Sequence, residues 1–314
     1  MRIRSFGTSG LRASVLGLGT MTWGRQTAAE DAAAQFDAFV GAGGTLVDSA
    51  ASYGDGAAES VLGEILAARS ARDDVVLSTK AGVSRRGGTR IVDGSRRALL
   101  DALDASLARL RTDHVDLWQV HAWDPQVRVE ETCAALDFAV ATGRARYVGV
   151  SNYSGWQTAT AAVWQRAWPG RIPLTANQVE YSLLRRRIEV ETIPACLHHG
   201  LGVLAWSPAA GGVLSGKYRG GVPADSRGAD AQWRDGVAAY GDPRSRRIVD
   251  AVATAADGLG VSPLTVAVGW VRDRPGVTSA LIGARTAAQL KTTLTAGTFD
   301  LPSEIRQALD DVSA

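Results

Sequence analysis

His114-Val115-Asp116-Leu117-Trp118-Gln119-Val120-His121 opens the stretch that decides the fold. This short, β-branched and aromatic run reads as a strand. Val129–Thr142 follows as a helix, with Glu130 and Glu131 in its first turn and Gly143 at its C′ position. Acidic groups favour a helix N-terminus, and glycine accepts the left-handed stop. Ala145–Asn152 is the next strand. Strand, helix, strand is the crossover that parallel pairing requires.

The rhythm extends both ways. Toward the N-terminus, Val15–Thr20, Thr45–Ser49 and Val75–Lys80 read as strands, with helices over Glu30–Val40 and Ala57–Arg69. Ser95 caps a further helix whose Leu99, Leu103, Leu107 and Leu110 recur at helical spacing. Toward the C-terminus, strands are expected over Leu174–Tyr181, Gly202–Ser207 and Thr278–Ile282. Helices are expected over Glu189–His199, Ser245–Leu259, Pro263–Arg272 and Thr286–Ala296. Eight strands alternating with helices make an α/β chain. They fit a single (β/α)8 TIM barrel over residues 1–314 better than a doubly wound sheet, since such barrels take about 250 residues. The residues up to Arg12 suit a short N-terminal hairpin across the barrel bottom, and Pro302–Val312 a closing C-terminal helix. Residues 217–243 break the rhythm, being rich in Gly, Asp and Arg. They read as a lid over a ligand or as a loose surface insertion.

Composition narrows the function. Lys+Arg number 34 and Asp+Glu 32, so the net charge of +2 gives no case for nucleic acid or an acidic membrane as partner. The longest basic run, Arg185-Arg186-Arg187, reads as a solvated turn. Cys133 and Cys196 lack CxxC or Cys/His spacing and read as buried thiols of a reducing compartment. No metal site is expected. The opening residues lack a signal-peptide core, and no apolar stretch approaches the roughly 20 residues of a membrane span. A soluble cytoplasmic protein is expected, and the excess of arginine over three lysines fits a GC-rich genome.

In such barrels chemistry sits where strands end. Those ends carry Asp48, Lys80, His121, Ser151-Asn152, Asn177-Gln178, Trp206-Ser207 and Gly283-Ala284-Arg285. Tyr53 follows Asp48 closely, on the loop above the second strand. A phenol is a weak acid, with a reference pKa near 10, and a neighbouring ammonium lowers that value. Lys80 is placed to do so, and Asp48 to balance the buried lysine. Tyr53, Lys80 and Asp48 thus make a tuned proton donor for a carbonyl oxygen. His121 orients that carbonyl or shares the proton. The plainer alternative for Tyr53 is a packing plug.

These residues resemble the aldo-keto reductase superfamily in its bacterial type. Val47-Asp48-Ser49-Ala50-Ala51-Ser52-Tyr53-Gly54 is similar to its Asp-to-Tyr signature, Ser78-Thr79-Lys80 to its lysine strand, and Asp116 through His121 to its histidine strand. Residues 143–152, Asn177 through Ser182, Trp206-Ser207-Pro208 with Gly216-Lys217-Tyr218, and Gly283-Ala284-Arg285-Thr286 continue the likeness in order. So does the opening, from Gly10-Leu11 to Gly17-Leu18-Gly19-Thr20-Met21.

The resemblance implies a catalytic tetrad of Asp48, Tyr53, Lys80 and His121. It implies hydride transfer from a nicotinamide to an aldehyde or ketone, with Tyr53 protonating the oxygen. Ser151, Asn152 and Gln178 would hold the carboxamide, and Trp206 would stack on the ring where the family usually has tyrosine. Ser207, Pro208, Gly216 and Lys217 would line the pyrophosphate, with Arg227 closing over it. Gly283, Arg285 and Gln289 would meet the adenosine end. Gly19, Thr20, Met21 and Asp48 would complete the cofactor site. A guanidinium at Arg285 favours NADPH over NADH because it forks onto a phosphate. Thr292 and Thr293 stand where the family often has Glu-Asn, so the adenine contacts depart from its pattern. Gly17-Leu18-Gly19 is no dinucleotide fingerprint and reads as tight strand packing.

The substrate is expected above Tyr53 and His121. Trp23, Trp123 and Trp156, each after a strand, are candidate walls or packing residues. Two other functions are weighed. One is a nicotinamide-binding sensor or regulatory subunit, which some members of the superfamily resemble. The other is a metal-dependent barrel hydrolase, which four histidines hardly support.

Overall fold

Each barrel strand alternates side chains between the barrel interior and the helical shell. The computed structural model describes residues 1–231 and 233–314, with Arg86 described through its backbone alone. A hairpin comes first, β1 (Ile3–Ser5) with β2 (Arg12–Ser14). The strands that follow are β3 (Leu16–Gly19), β4 (Leu46–Asp48), β5 (Val76–Ala81), β6 (Val83–Arg86), β7 (Thr89–Val92) and β8 (Val115–Val120). They continue with β9 (Ala145–Ser151), β10 (Leu174–Glu180), β11 (Gly202–Trp206) and β12 (Val277–Ile282). Eight of them close a parallel barrel in the order β3-β4-β5-β8-β9-β10-β11-β12, and β12 pairs back to β3. This is the expected TIM barrel, with strand ends within a residue of those read from the sequence.

The helices are α1 (Ala29–Gly41), α2 (Ala57–Arg69), α3 (Arg96–Leu110), α4 (Val129–Ala141), α5 (Gly155–Arg166) and α6 (Thr192–His199). Then come α7 (Arg234–Ala238), α8 (Pro243–Leu259), α9 (Pro263–Arg272), α10 (Ala287–Leu294) and α11 (Ser303–Ser313). Side-chain caps fix several starts: Ser95 accepts from Ala98, Asp242 from Ser245, Ser262 from Thr265 and Thr286 from Gln289. Among the described residues no single helix is long and apolar enough to cross a membrane.

Two clusters hold the fold. The larger fills the space between strands and helices. The smaller fills the barrel bottom with Leu46, Leu117, Ala176, Leu204 and Leu281, capped by Phe6, Leu11 and Ala13 of the hairpin region. Gly17 belongs to that packing, because a Cβ there would lie 2.5 Å from Leu281 Cδ2 and 2.9 Å from Leu46 Cδ2. Arg4 fastens the hairpin, donating to the carbonyls of Arg272 and Val277.

Several expectations are corrected. α5 stands where no helix was expected, although Ser154 and Gln157 form a full capping box. β6 and β7 form an antiparallel hairpin that the sequence reading did not include. The sixth helix begins at Thr192 rather than Glu189, since Pro194 fits only a helix's first turn. Arg185-Arg186-Arg187 is not merely a solvated turn. Arg186 pairs with Glu189 at 2.9 Å and donates to Asp310 O at 2.9 Å, tying the turn to α11. Within residues 217–243 the chain forms α7 and a series of turns, and Gln232 lies outside the described residues. Cys133 and Cys196 are buried free thiols, and burial pushes each up to about 12.

Candidate active site

The inward positions above the apolar floor are polar. Register places Asp48 beside Ser78, and Lys80 beside Gln119. Lys80 Nζ donates to Asp48 Oδ2 at 2.5 Å and to Ser49 O at 2.7 Å. The pair is almost wholly buried. Asp48 Oδ1 accepts from Ser78 Oγ at 2.9 Å and from Gln178 Nε2 at 2.9 Å. Gln119 Nε2 in turn donates to Ser78 Oγ at 2.9 Å. Because β10 and β4 are not neighbours, this chain crosses the barrel interior. Such satisfaction is what permits a buried ion pair.

Tyr53 sits over this pair. Lys80 Nζ lies 5.1 Å from its ring centre, and the His121 ring meets it edge-on with centres 6.0 Å apart. Residues 53–56 form a tight 3-10 turn in which Gly54, Asp55 and Gly56 adopt positive φ, of 61°, 54° and 95°. Asp48, Tyr53, Lys80 and His121 are therefore brought together. Burial pushes the Tyr53 hydroxyl above its ordinary value, and the Lys80 charge offsets that only in part. The expected lowering is thus reversed. For Lys80, burial opposes the charge, but Asp48 and Tyr53 outweigh it and the pKa is raised. His121 is held down to about 3 by burial, then by the Lys80 and Arg90 charges. It is a neutral imidazole, with Nδ1 3.4 Å from Ser52 Oγ.

The remaining expected residues lie around the mouth. Asn152, at φ +59°, donates to His121 O and Ser151 Oγ, each at 3.0 Å, and accepts from Trp206 Nε1 at 3.0 Å. It braces three strand ends. Ser151 Oγ donates to Gln178 O at 2.9 Å. Thr20 is buried, its hydroxyl 3.0 Å from Ser49 Oγ, and Gly19 pairs with Asp48 in register. Met21 is partly buried just beyond, as are Ser207 at the end of β11 and Gly216 further along; Pro208 is buried and Lys217 exposed. Gly283 and Arg285 follow β12, and Gln289 Oε1 accepts from the Arg285 amide at 3.1 Å. Arg285 approaches Asp225 at 3.8 Å.

Arg227 stacks over Trp233 at 5.5 Å and makes no ion pair among the described residues. Burial and then Arg285 act to lower its pKa, against a partial offset from Tyr218. Two guanidiniums that converge without full neutralisation fit a phosphate-bearing ligand. Among the described residues no group of three or more His, Cys, Asp or Glu is placed for a metal.

The tryptophans divide. Trp123 meets Tyr153 and Trp156 edge-on, each at 5.2 Å. Trp156 belongs to α5 rather than a loop and is 57% exposed. Trp23 is fully buried, its Nε1 donating to Gln35 Oε1 at 3.3 Å, so it offers no surface to a ligand. Ser78 and Gln119 were missed as site residues. Both lie two residues before a polar strand end, Lys80 and His121, at inward positions, and that spacing was the available signal.

A sequence profile described as the Aldo/keto reductase family matches residues 15–314. An uncharacterized oxidoreductase, YrpG, of Bacillus subtilis (strain 168) is 34% identical over 99% of this chain and 96% of its own. An L-glyceraldehyde 3-phosphate reductase of Escherichia coli (strain K12) is 36% identical over 93% of this chain and 86% of its own. A probable voltage-gated potassium channel subunit beta of Oryza sativa subsp. japonica is 35% identical over 92% of this chain and 89% of its own.

Proposed function

Since the chain belongs to the aldo/keto reductase family, a family of oxidoreductases, we propose that it reduces an aldehyde or ketone to the alcohol, with NADPH as donor and Tyr53 as general acid. The observation that carries this reading is the buried Lys80–Asp48 pair beneath the Tyr53 ring. A phenol held above its ordinary pKa stays protonated at neutral pH and can hydrogen-bond a carbonyl oxygen. As negative charge develops on that oxygen, Lys80 stabilises the phenolate that Tyr53 becomes. Asp48 keeps Lys80 charged and aimed. Neutral His121 orients the carbonyl as a hydrogen-bond partner.

When bound, the nicotinamide supplies the hydride. Trp206, braced by Asn152, presents a flat face for its ring, and Ser151, Asn152 and Gln178 surround the carboxamide position. Gly19, Thr20 and Met21 close the near side. Ser207, Pro208, Gly216 and Lys217 follow the pyrophosphate, and Gly283 and Gln289 flank the adenosine end. Arg285, only loosely paired with Asp225 at 3.8 Å, suits a 2′-phosphate and so favours NADPH over NADH, while Arg227, without an ion pair among the described residues, closes over the pyrophosphate. Residues 217–243 act as the lid that carries Arg227. Trp123, with Tyr53 and His121, walls the substrate and suits a ring-bearing or hydrophobic carbonyl.

Replacing Tyr53 with Phe tests the proposal. Turnover of aromatic aldehydes should fall by about 10²–10⁴-fold, while NADPH binding, followed by fluorescence, stays nearly intact. Near-normal turnover in that variant rejects the role of Tyr53. The alternative, a cofactor-holding regulatory subunit, draws on the likeness to the Oryza sativa potassium channel subunit beta. It predicts NADPH binding without turnover in the unaltered protein.

A further inference from the structure

The β6–β7 hairpin rises directly from the strand that carries Lys80. Its base is fixed to the site. Asp93 N donates to Gly82 O at 3.0 Å, and His121 N donates to Ala81 O at 2.8 Å. Gly87 and Gly88, at φ +55° and +82°, make the two-residue turn that a tight hairpin needs. In this register Arg85 stands opposite Arg90. Like charges directly opposite on a two-stranded ribbon destabilise it.

Among the described residues no ion pair offsets that repulsion. Arg85 donates to Gly88 O at 3.2 Å, and among the described residues neither arginine has a carboxylate partner. The nearby acids are engaged elsewhere. Asp93 accepts from Ser95 N at 3.0 Å, and Asp124 from Gly94 N and Gln126 N, each at 2.9 Å. Arg25 on the same rim is neutralised by Asp55 at 2.7 Å. Inside the mouth, Asp48 is matched by Lys80, and Tyr53 and His121 are neutral. Nor does the proposed phosphate end of the cofactor account for the hairpin. Arg285 follows β12, and β3 and β4 stand between β12 and β5. Arg90 also acts electrostatically on His121, so its charge reaches the reacting end of the site.

The geometry points to an anion-recognising arm: Arg90, backed by Arg85, over the substrate mouth, selecting carbonyl substrates that carry a carboxylate or phosphate beyond the reacting carbon. This rests on the carbonyl-reductase reading above. A guanidinium fork binds either anion, and a flap beside the mouth holds it clear of the hydride path.

The test compares benzaldehyde, 4-carboxybenzaldehyde and 4-formylphenyl phosphate as substrates with NADPH. The proteins are the unaltered chain, Arg90→Gln, Arg85→Gln/Arg90→Gln, and Arg97→Gln. Arg97 is an exposed α3 residue near Asp101 and serves as the charge-matched control. A charge-assisted hydrogen bond is worth about tenfold or more in affinity. The anionic aldehydes should therefore exceed benzaldehyde in kcat/KM by about that factor. The ratio should collapse in Arg90→Gln, shrink with added salt, and hold in Arg97→Gln. Comparison of the two anionic aldehydes tells carboxylate from phosphate selection. Turnover without preference for either anion, or a preference that survives both arginine replacements, overturns the inference and leaves the reductase reading standing.

Failure to reduce any aldehyde counts against the reductase reading itself. Benzoate, phenyl phosphate and benzyl alcohol are then titrated against tryptophan fluorescence. Saturable anion binding that weakens in Arg90→Gln upholds the arm. Anions binding no better than benzyl alcohol, or no worse in the variant, overturn it.

Discussion

The two ends of the barrel use the same strands for opposite chemistry. At the bottom, the inward residues Leu46, Leu117, Ala176, Leu204 and Leu281 pack into one apolar cluster. Two residues further along the same strands stand Asp48, Gln119, Gln178, Trp206 and Gly283. On β5 the inward series runs Val76, Ser78, Lys80. A step of two keeps the side chain inside and moves it one layer up. The lower layer thus becomes a dry floor, and the upper layer holds the polar groups. The floor matters to the chemistry above it, because charges interact more strongly where water is excluded. It also explains why the charged Asp48 and Lys80 are so fully hydrogen-bonded, since an unpaired charge there has no water to turn to.

The largest effect is expected from breaking the upper layer. Lys80→Met leaves Asp48 ionised and buried without its partner, which typically costs about 3–5 kcal/mol. Denaturant unfolding should show that loss, and turnover should vanish with it. The double replacement Asp48→Asn/Lys80→Met should recover much of the stability and none of the turnover. A Lys80→Met protein as stable as the unaltered chain contradicts the burial of the pair.

The floor should respond differently. Leu204→Ala removes a fully buried side chain and should cost about 2–5 kcal/mol, with the spread set by how far the cavity collapses. The variant that still folds should retain a nearly normal kcat, because no floor residue touches the reacting atoms. A selective loss of kcat with little change in stability would mean that the two layers are not separable.

Between these lies the hydrogen-bonded chain that joins Gln119 to Ser78 and Ser78 to Asp48. Ser78→Ala removes one neutral-to-charged donor, worth roughly 1.5–3 kcal/mol. Gln119 Oε1 is already buried without a partner, so Gln119→Leu removes one good bond together with one unmet acceptor. Its effect should be the smaller of the two. A double-mutant cycle on kcat/KM should show coupling above about 0.5 kcal/mol if the two act through one chain. Strict additivity would show that Gln119 only fills space.

The same contrast governs what the sequence disclosed. Eight short β-branched runs separated by helical runs made the barrel legible, and polar residues closing those runs pointed to a mouth that gathers Asp48, Lys80 and His121. Residues whose meaning depends on neighbours brought in from afar were not. Trp23 follows a strand as Trp123 does, yet one is core and the other lies at the mouth. The Tyr53 shift was expected downward from the presence of Lys80 alone. Burial decides its direction, and burial is a property of the fold. The β6–β7 strands are arginine-rich and mostly exposed, so the Gly87-Gly88 turn was their main signal. α5 opens on Gly155 and Trp156 and carries threonines, which blunt helix propensity, and only its capping box announced it.

The smallest expected effect is an absence of change, and it discriminates well. His121 resists protonation until pH falls to about 3, and Tyr53 keeps its proton beyond the ordinary phenol range. If Tyr53 is the general acid, as proposed, the rate of reduction should fall only as pH rises past that raised value. Between pH 5 and 8 kcat should be flat. Stability has the opposite slope. His121 binds a proton less readily folded than unfolded, where its pKa is near 6.5. Its contribution to stability is therefore full above that value and is lost as pH falls toward about 3. His121→Asn should flatten that slope while leaving the alkaline limb of kcat in place if, as proposed, that limb belongs to Tyr53. An NMR titration of His121 centred between pH 6 and 7 would show an imidazole open to water, and the upper layer would then not be dry.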